Sequence, residues 1–155
     1  MSSLNCHMRK NLLLPCPFVL FVLFSALVCP AENPRWIWHD NHPATIKPDE
    51  VRYFRKTFEV GGNPSRASLS VAADDEAKVY LNGKEVAQSR GWDKPAYKNV
   101  AAYLKAGENV LAVRARNVGG DVAGLIVMLE LRKKGGADVI ISDGTWLSSA
   151  REESG

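Results

Sequence analysis

Asn82 and Gly83 stand between two short alternating runs, residues 78–81 (KVYL) and 84–86 (KEV). A two-residue hairpin loop of type I′ needs positive φ at both central positions, and Asn-Gly tolerates this best. The pair therefore calls for two antiparallel strands meeting at that turn. It makes the region β-structured whatever its neighbours do.

The alternation continues on both sides. In residues 67–73, Ala67, Leu69, Val71 and Ala73 point one way, with Ser68 and Ser70 pointing the other. Residues 109–116 repeat this, with Leu111, Val113 and Ala115 inward and Arg114 and Arg116 outward. Residues 51–60 form a long strand stopped by Gly61, Gly62 and Pro64, although Phe54 and Phe58 share a face with Arg52 and Lys56. Residues 124–131 are nearly continuously apolar, which predicts an interior strand. Short strands are expected at 35–39, 97–100 and 139–141, the last closed by 142–146. Prolines and polar residues mark loops at 40–48 and 88–95, with breaks at 117–120 and around Gly107. No segment carries a helical period with a cap and a stop. About eight short strands at this spacing predict an all-β fold, an antiparallel β-sandwich.

The first 31 residues read differently. Arg9 and Lys10 precede an apolar run, residues 18–28 (FVLFVLFSALV), and Cys29, Pro30 and Ala31 follow. A basic start, a short apolar stretch and a small-residue exit predict a signal peptide, residues 1–31, with cleavage after Ala31. Secreted or periplasmic localisation follows, with no membrane contact after cleavage. All three cysteines (Cys6, Cys16 and Cys29) lie in this leader. Thiol catalysis, thiolate metal sites and disulfides are thereby excluded from the mature chain. Residues 32–147 are expected to form one sandwich domain, and 148–155 a disordered tail or linker. The formal charge of +3 drops to about +1 once Arg9 and Lys10 are removed, so nucleic acid is not an expected partner.

Four stretches carry a family resemblance: 52–58 (RYFRKTF), 73–83 (ADDEAKVYLNG), 97–113 (YKNVAAYLKAGENVLAV) and 142–146 (SDGTW). Together they resemble the galactose-binding-domain-like jelly rolls. The likeness is to the sugar-binding domains of glycoside hydrolase family 2 and to the accessory domains of bacterial α-L-rhamnosidases. Trp36, Ile37 and Trp38 make the chain similar to secreted planctomycete modules. The resemblance implies an exported, non-catalytic carbohydrate-binding module accessory to a glycoside hydrolase. It implies equally, as an alternative, a structural sandwich that packs against a neighbouring catalytic or cytochrome-type domain and has no ligand of its own. The catalytic carboxylates of such enzymes lie in a separate barrel, so no catalytic residue is assigned here. A small free-standing hydrolase would need two carboxylates at catalytic separation across a cleft, and no residue pattern marks such a pair.

Sugars are held by aromatic faces on the pyranose ring and by amides, carboxylates and guanidinium groups on its hydroxyls. Arg90, Trp92, Asp93 and Asn117 are the candidate carbohydrate-binding set, because loops at a sandwich end gather binding residues. The competing assignment makes Trp92 a cap on the sandwich end and Arg90 a solvated charge. Trp36 and Trp38, two apart, form either a stacking platform or part of the core or a domain interface. Asp74 and Asp75 are candidate ligands for a structural Ca²⁺, competing with a simple turn role. His39 and His42, three apart without further soft ligands, make a weak metal signal that we discount.

Overall fold

The computed structural model describes residues 33–38, 46–62, 64–120 and 122–152. Residues 1–31, read from the sequence as a leader, and His39 and His42 lie outside the described residues. Among the described residues seven strands follow one another: β1 (Glu50–Val60), β2 (Arg66–Leu81), β3 (Lys84–Asn99), β4 (Gly107–Asn117), β5 (Gly124–Lys133), β6 (Gly136–Ile141) and β7 (Leu147–Ser149). A single 3₁₀ turn, Ala101–Tyr103, separates β3 from β4. All pairings are antiparallel, in the order β6-β5-β2-β4-β1-β7, with β3 also on β2. Among the described residues no helix is long and apolar enough to cross a membrane.

The fold turns on β2. Its first half pairs with β5, from Arg66 opposite Arg132 to Asp74 opposite Gly124. Its second half pairs with β4, from Glu76 opposite Arg116 to Leu81 opposite Leu111. One strand thus joins the two halves of a single seven-stranded sheet, and the sheet turns between them at Asp74, Asp75 and Glu76. Strand β3 follows it, with register shifts between Val71 and Ala73 and between Ala73 and Glu76. Bulges at a corner let a continuous strand turn in this way.

Burial follows the period-two pattern. Ala67, Leu69, Val71 and Ala73 from one half meet Val79, Leu81, Leu111, Val113 and Ala115 from the other in a single core. Leu125, Val127, Leu129 and Leu131 line β5 inward, each 2% exposed or less. Ile126, Met128 and Glu130 are half-buried on the outer side, so the apolar run still alternates. The hairpin turn is as expected, with φ of 51° at Asn82 and 79° at Gly83.

Four expectations are corrected. Residues 67–73 and 78–81 are not separate strands but one 16-residue β2. Residues 88–95 are not a loop. They continue β3, with residues 92–95 bulging between the Ala73–Gly91 and Val71–Ala96 pairs. The aromatic segment at 35–38 forms no strand, only a bridge from Ile37 to Leu125. Ser148 and Ser149 do not begin a free tail, because Leu147–Ser149 pairs with Tyr53–Arg55 of β1. Three residues are too short for a period to show, so β7 has no sequence signature.

Candidate functional site

The corner where β2 turns between its two halves gathers most of the chemically capable side chains. Glu76 lies opposite Arg90 on β3 and opposite Arg116 on β4. Arg116 joins Glu76 at 3.5 Å and Asp49 at 2.5 Å, tying the turn before β1 to the corner. Asp75 Oδ2 accepts the N–H groups of Val118 at 2.7 Å and Gly119 at 3.3 Å, which holds the loop after β4 against β2. A depression of about 40 Å³ lies beside Glu76, Ser89 and Arg90.

Gly91 opposes Ala73, so the next two residues of the bulge, Trp92 and Asp93, follow directly on the corner. Trp92 is 64% exposed, and Arg90 and Asp93 are exposed beside it. Gly91 adopts φ of +97°, and a Cβ there would stand 2.8 Å from Asp93 Oδ1. The glycine thus permits both the left-handed backbone and the close approach of the carboxylate.

Asn117 is placed differently. It is fully buried at the end of β4, and its Nδ2 donates to the carbonyls of Lys47 at 3.1 Å and Gly120 at 3.4 Å. Its amide organises two backbone segments beneath the corner and presents nothing to solvent. Residue type and spacing could not separate this role from a hydroxyl contact. The two tryptophans near the start of the described chain also part company. Trp38 is buried against Phe54, with ring centroids 5.8 Å apart, whereas Trp36 is 50% exposed over Gly124. Gly124 faces Asp74 across β2 and β5, so Trp36 flanks the corner. Glu76 and Arg116 therefore belong to the neighbourhood although sequence reasoning did not assign them to it, and Trp36, a candidate stacking residue in the sequence, joins them. For Glu76 the acidic run at 74–76 was the only visible signal.

Asp74 is half-buried, and its carboxyl lies above the ordinary value of 3.8. Burial is the main cause, followed by the hydrogen bond and the negative charge of the adjoining Asp75. Such a carboxyl keeps its proton to higher pH in the native state than in the unfolded chain. Its contribution to stability therefore falls as pH rises from the ordinary value through the raised native one. Asp143 runs the other way. Burial raises it, but hydrogen bonds from Thr145 and the charges of Lys56 and Arg35 together bring it below 3.8. That contribution is lost as pH falls through the lowered native value. The difference between wild type and Asp74→Asn isolates the first effect. Urea unfolding from pH 3.5 to 7 is expected to show a flatter decline towards neutral pH in the variant. Parallel profiles would mean that Asp74 titrates normally.

Two adjacent carboxyls are also what a hard cation would approach. Ca²⁺ takes about six to eight oxygens. Among the described residues no group of three or more His, Cys, Asp and Glu converges to hold a metal. What the corner offers directly is a flat exposed indole, carboxylate oxygens that accept hydroxyl hydrogens, and a guanidinium that donates.

No family model matches the chain. An α-L-rhamnosidase of Streptomyces avermitilis is 34% identical over 128 residues, which cover 78% of this chain and 12% of the enzyme. The crystal structure of the S. avermitilis α-L-rhamnosidase complexed with L-rhamnose matches with a TM-score of 0.71 at 34% identity, over 77% of this chain and 12% of that one. The lectin of Pleurotus ostreatus in complex with GalNAc shares the fold at a TM-score of 0.63 and 22% identity, over 74% of this chain and 35% of the lectin. The GH78 family rhamnosidase of Bacillus sp. GL1 does so at 0.62 and 24%, over 76% of this chain and 13% of that one. The chain thus spans about an eighth of the curated relative's length. With its sheet turned at the β2 corner, it is a galactose-binding-domain-like β-sandwich that resembles the accessory domains of α-L-rhamnosidases.

Proposed function

We propose that this chain is an exported, non-catalytic carbohydrate-binding module, accessory to a glycoside hydrolase, with its site at the β2 corner. One observation carries the reading. An exposed indole, Trp92, stands next to carboxylate acceptors in a sandwich 34% identical to part of a sugar-cleaving enzyme. A pyranose would lay its apolar face on Trp92 and direct its hydroxyls to Asp93, Arg90 and the carboxyl groups of Asp74 and Asp75. Asn117 would act from beneath by fixing Lys47 and Gly120. Export rests on the leader at residues 1–31.

L-Rhamnose and N-acetylgalactosamine are the first ligands to try, because they accompany the rhamnosidase and the lectin that share the fold. The test is isothermal titration of the purified protein with these sugars and with plant and bacterial oligosaccharides, in calcium and in chelator. Saturable binding that is lost in Trp92→Ala is expected. Absence of binding to every glycan, from protein shown to be folded, overturns the reading.

A second reading has its own observation. Trp36, Trp92 and Val122 are exposed apolar residues at 50%, 64% and 64%, and Trp36 and Trp92 adjoin the corner. Such a set also suits packing against a neighbouring catalytic domain. Absence of glycan binding would favour this alternative.

A further inference from the structure

A larger concavity, of about 990 Å³, lies on the face of the β1–β4–β2 half that looks away from the core. It is at the upper end of the ~300–1,000 Å³ that ligand sites occupy. The alternation that buries Phe54, Val113 and Val79 turns Tyr53, Arg55, Ala112, Arg114 and Tyr80 outward. Register sets them in rows. Arg55 and Tyr80 flank Ala112, whose small side chain leaves a floor between two large ones. In the next row Tyr53 faces Arg114. One wall is β7, laid along Tyr53–Arg55. The opposite wall is the Asn82–Gly83 turn together with Lys105.

The charge of this groove is lopsided. Arg55, Lys105 and Arg114 line it against two carboxylates, Glu152 on the lining and Glu85 beside Tyr80 at its edge. Among the described residues none of these three cations is held in an ion pair, whereas Arg116, Arg132 and Lys133 all are. Charges left unneutralised around a concavity favour an anionic occupant. Guanidinium groups match planar carboxylates, which they can bind through two parallel hydrogen bonds. The two tyrosines add flat apolar faces with polar edges. The near-neutral balance of the mature chain argues against nucleic acid as the occupant.

We propose that this groove binds a short anionic oligosaccharide, one bearing uronate carboxylates, at a site separate from the β2 corner. The carboxylates pair with Arg55 and Arg114, the rings rest on Tyr53 and Tyr80, and Lys105 contributes from the rim. The corner, dominated by carboxyls, has the opposite charge preference. The two sites therefore select different parts of a mixed glycan.

Titration of the purified protein with trigalacturonate and with its uncharged methyl ester tests this. Trigalacturonate is expected to bind at least about tenfold more tightly than the ester, and the preference is expected to shrink between low and high salt. Arg55→Gln combined with Arg114→Gln is expected to weaken trigalacturonate by about tenfold or more, and the exposed Lys105→Gln by a smaller factor. Thermal unfolding checks that the variants are folded. Trp92→Ala is expected to leave trigalacturonate unchanged. Equal affinity for acid and ester, no binding of either, or indifference to the arginine and lysine variants overturns the proposal. Loss of trigalacturonate binding in Trp92→Ala, with the arginine variants unaffected, would assign the acid to the corner. That result sinks the groove while leaving the corner reading intact.

Discussion

Trp92→Ala is expected to weaken glycan binding at the corner by about 10–50-fold while leaving stability within about 0.5 kcal/mol of wild type. The two halves of this result have separate causes. At 64% exposed, the indole contributes little to the core, so its removal opens no cavity. Stacking a sugar on one indole face removes apolar area from water on both partners. At about 25 cal/mol per Å² this is worth roughly 1.5–2.5 kcal/mol. Of the four tryptophans, Trp38 and Trp146 are buried, so a ligand at the corner should change the emission of Trp92 and Trp36. Fluorescence titration of wild type and Trp92→Ala provides the check. Undiminished affinity in the variant would remove Trp92 from the site. A variant that unfolds would show that the indole supports the bulge at residues 92–95.

Asn109→Asp is expected to destabilise the fold by about 3–5 kcal/mol, a large part of the roughly 5–15 kcal/mol that holds a domain together. Asn109 is fully buried, and every hydrogen-bonding position of its amide is used. Its Oδ1 accepts from Lys105 N at 3.0 Å and from Asn82 Nδ2 at 2.8 Å. Its Nδ2 donates to the carbonyls of Lys105 and Gly107, both at 2.8 Å. A carboxylate of the same shape keeps the acceptor and loses both donors. It also sets negative oxygen against two carbonyls at a fully buried position. Asn109→Ala, which leaves the same groups unpartnered without adding a charge, should cost somewhat less. Gln88→Ala, which removes an exposed bond to Glu85, should stay within about 0.5 kcal/mol. Urea unfolding of the three variants tests the ordering. An Asn109→Asp variant as stable as Gln88→Ala would show that the amide network carries no stability.

The same network explains a detail of the hairpin. Asn82 accepts the left-handed turn conformation, and its amide also donates to Tyr103 O at 2.9 Å and accepts Val110 N at 3.0 Å. The turn is thereby tied to the chain ahead of β4. Its side chain reaches partners more than twenty residues away, which no local pattern reveals.

The legible parts of this protein are those set by neighbouring residues. The Asn82–Gly83 turn depends on φ at two positions, and the inward faces of β2, β4 and β5 depend on a period of two. Both can be written down from the chain alone, and together they determine an all-β sandwich. The acidic run at 74–76 and the aromatic at 92 were visible as candidates for the same reason.

Their meeting was decided elsewhere. Whether Asp74–Glu76 is a turn or the corner of a continuous strand depends on β2 finding β5 with one half and β4 with the other. Those partners lie at least 30 residues away in sequence. Trp36 and Trp38 have the same residue type and nearly the same position, yet one enters the core against Phe54 and the other covers Gly124. Asn117 went under the corner because burial gave its amide two carbonyls to hold. The outer groove needed β7, a three-residue strand held along β1 by its pairing with Tyr53–Arg55. Local sterics and periodicity act within a few residues and can be read in order. The occupants of the corner, the core and the groove are selected by long-range pairing and burial, which exist only once the chain has closed on itself.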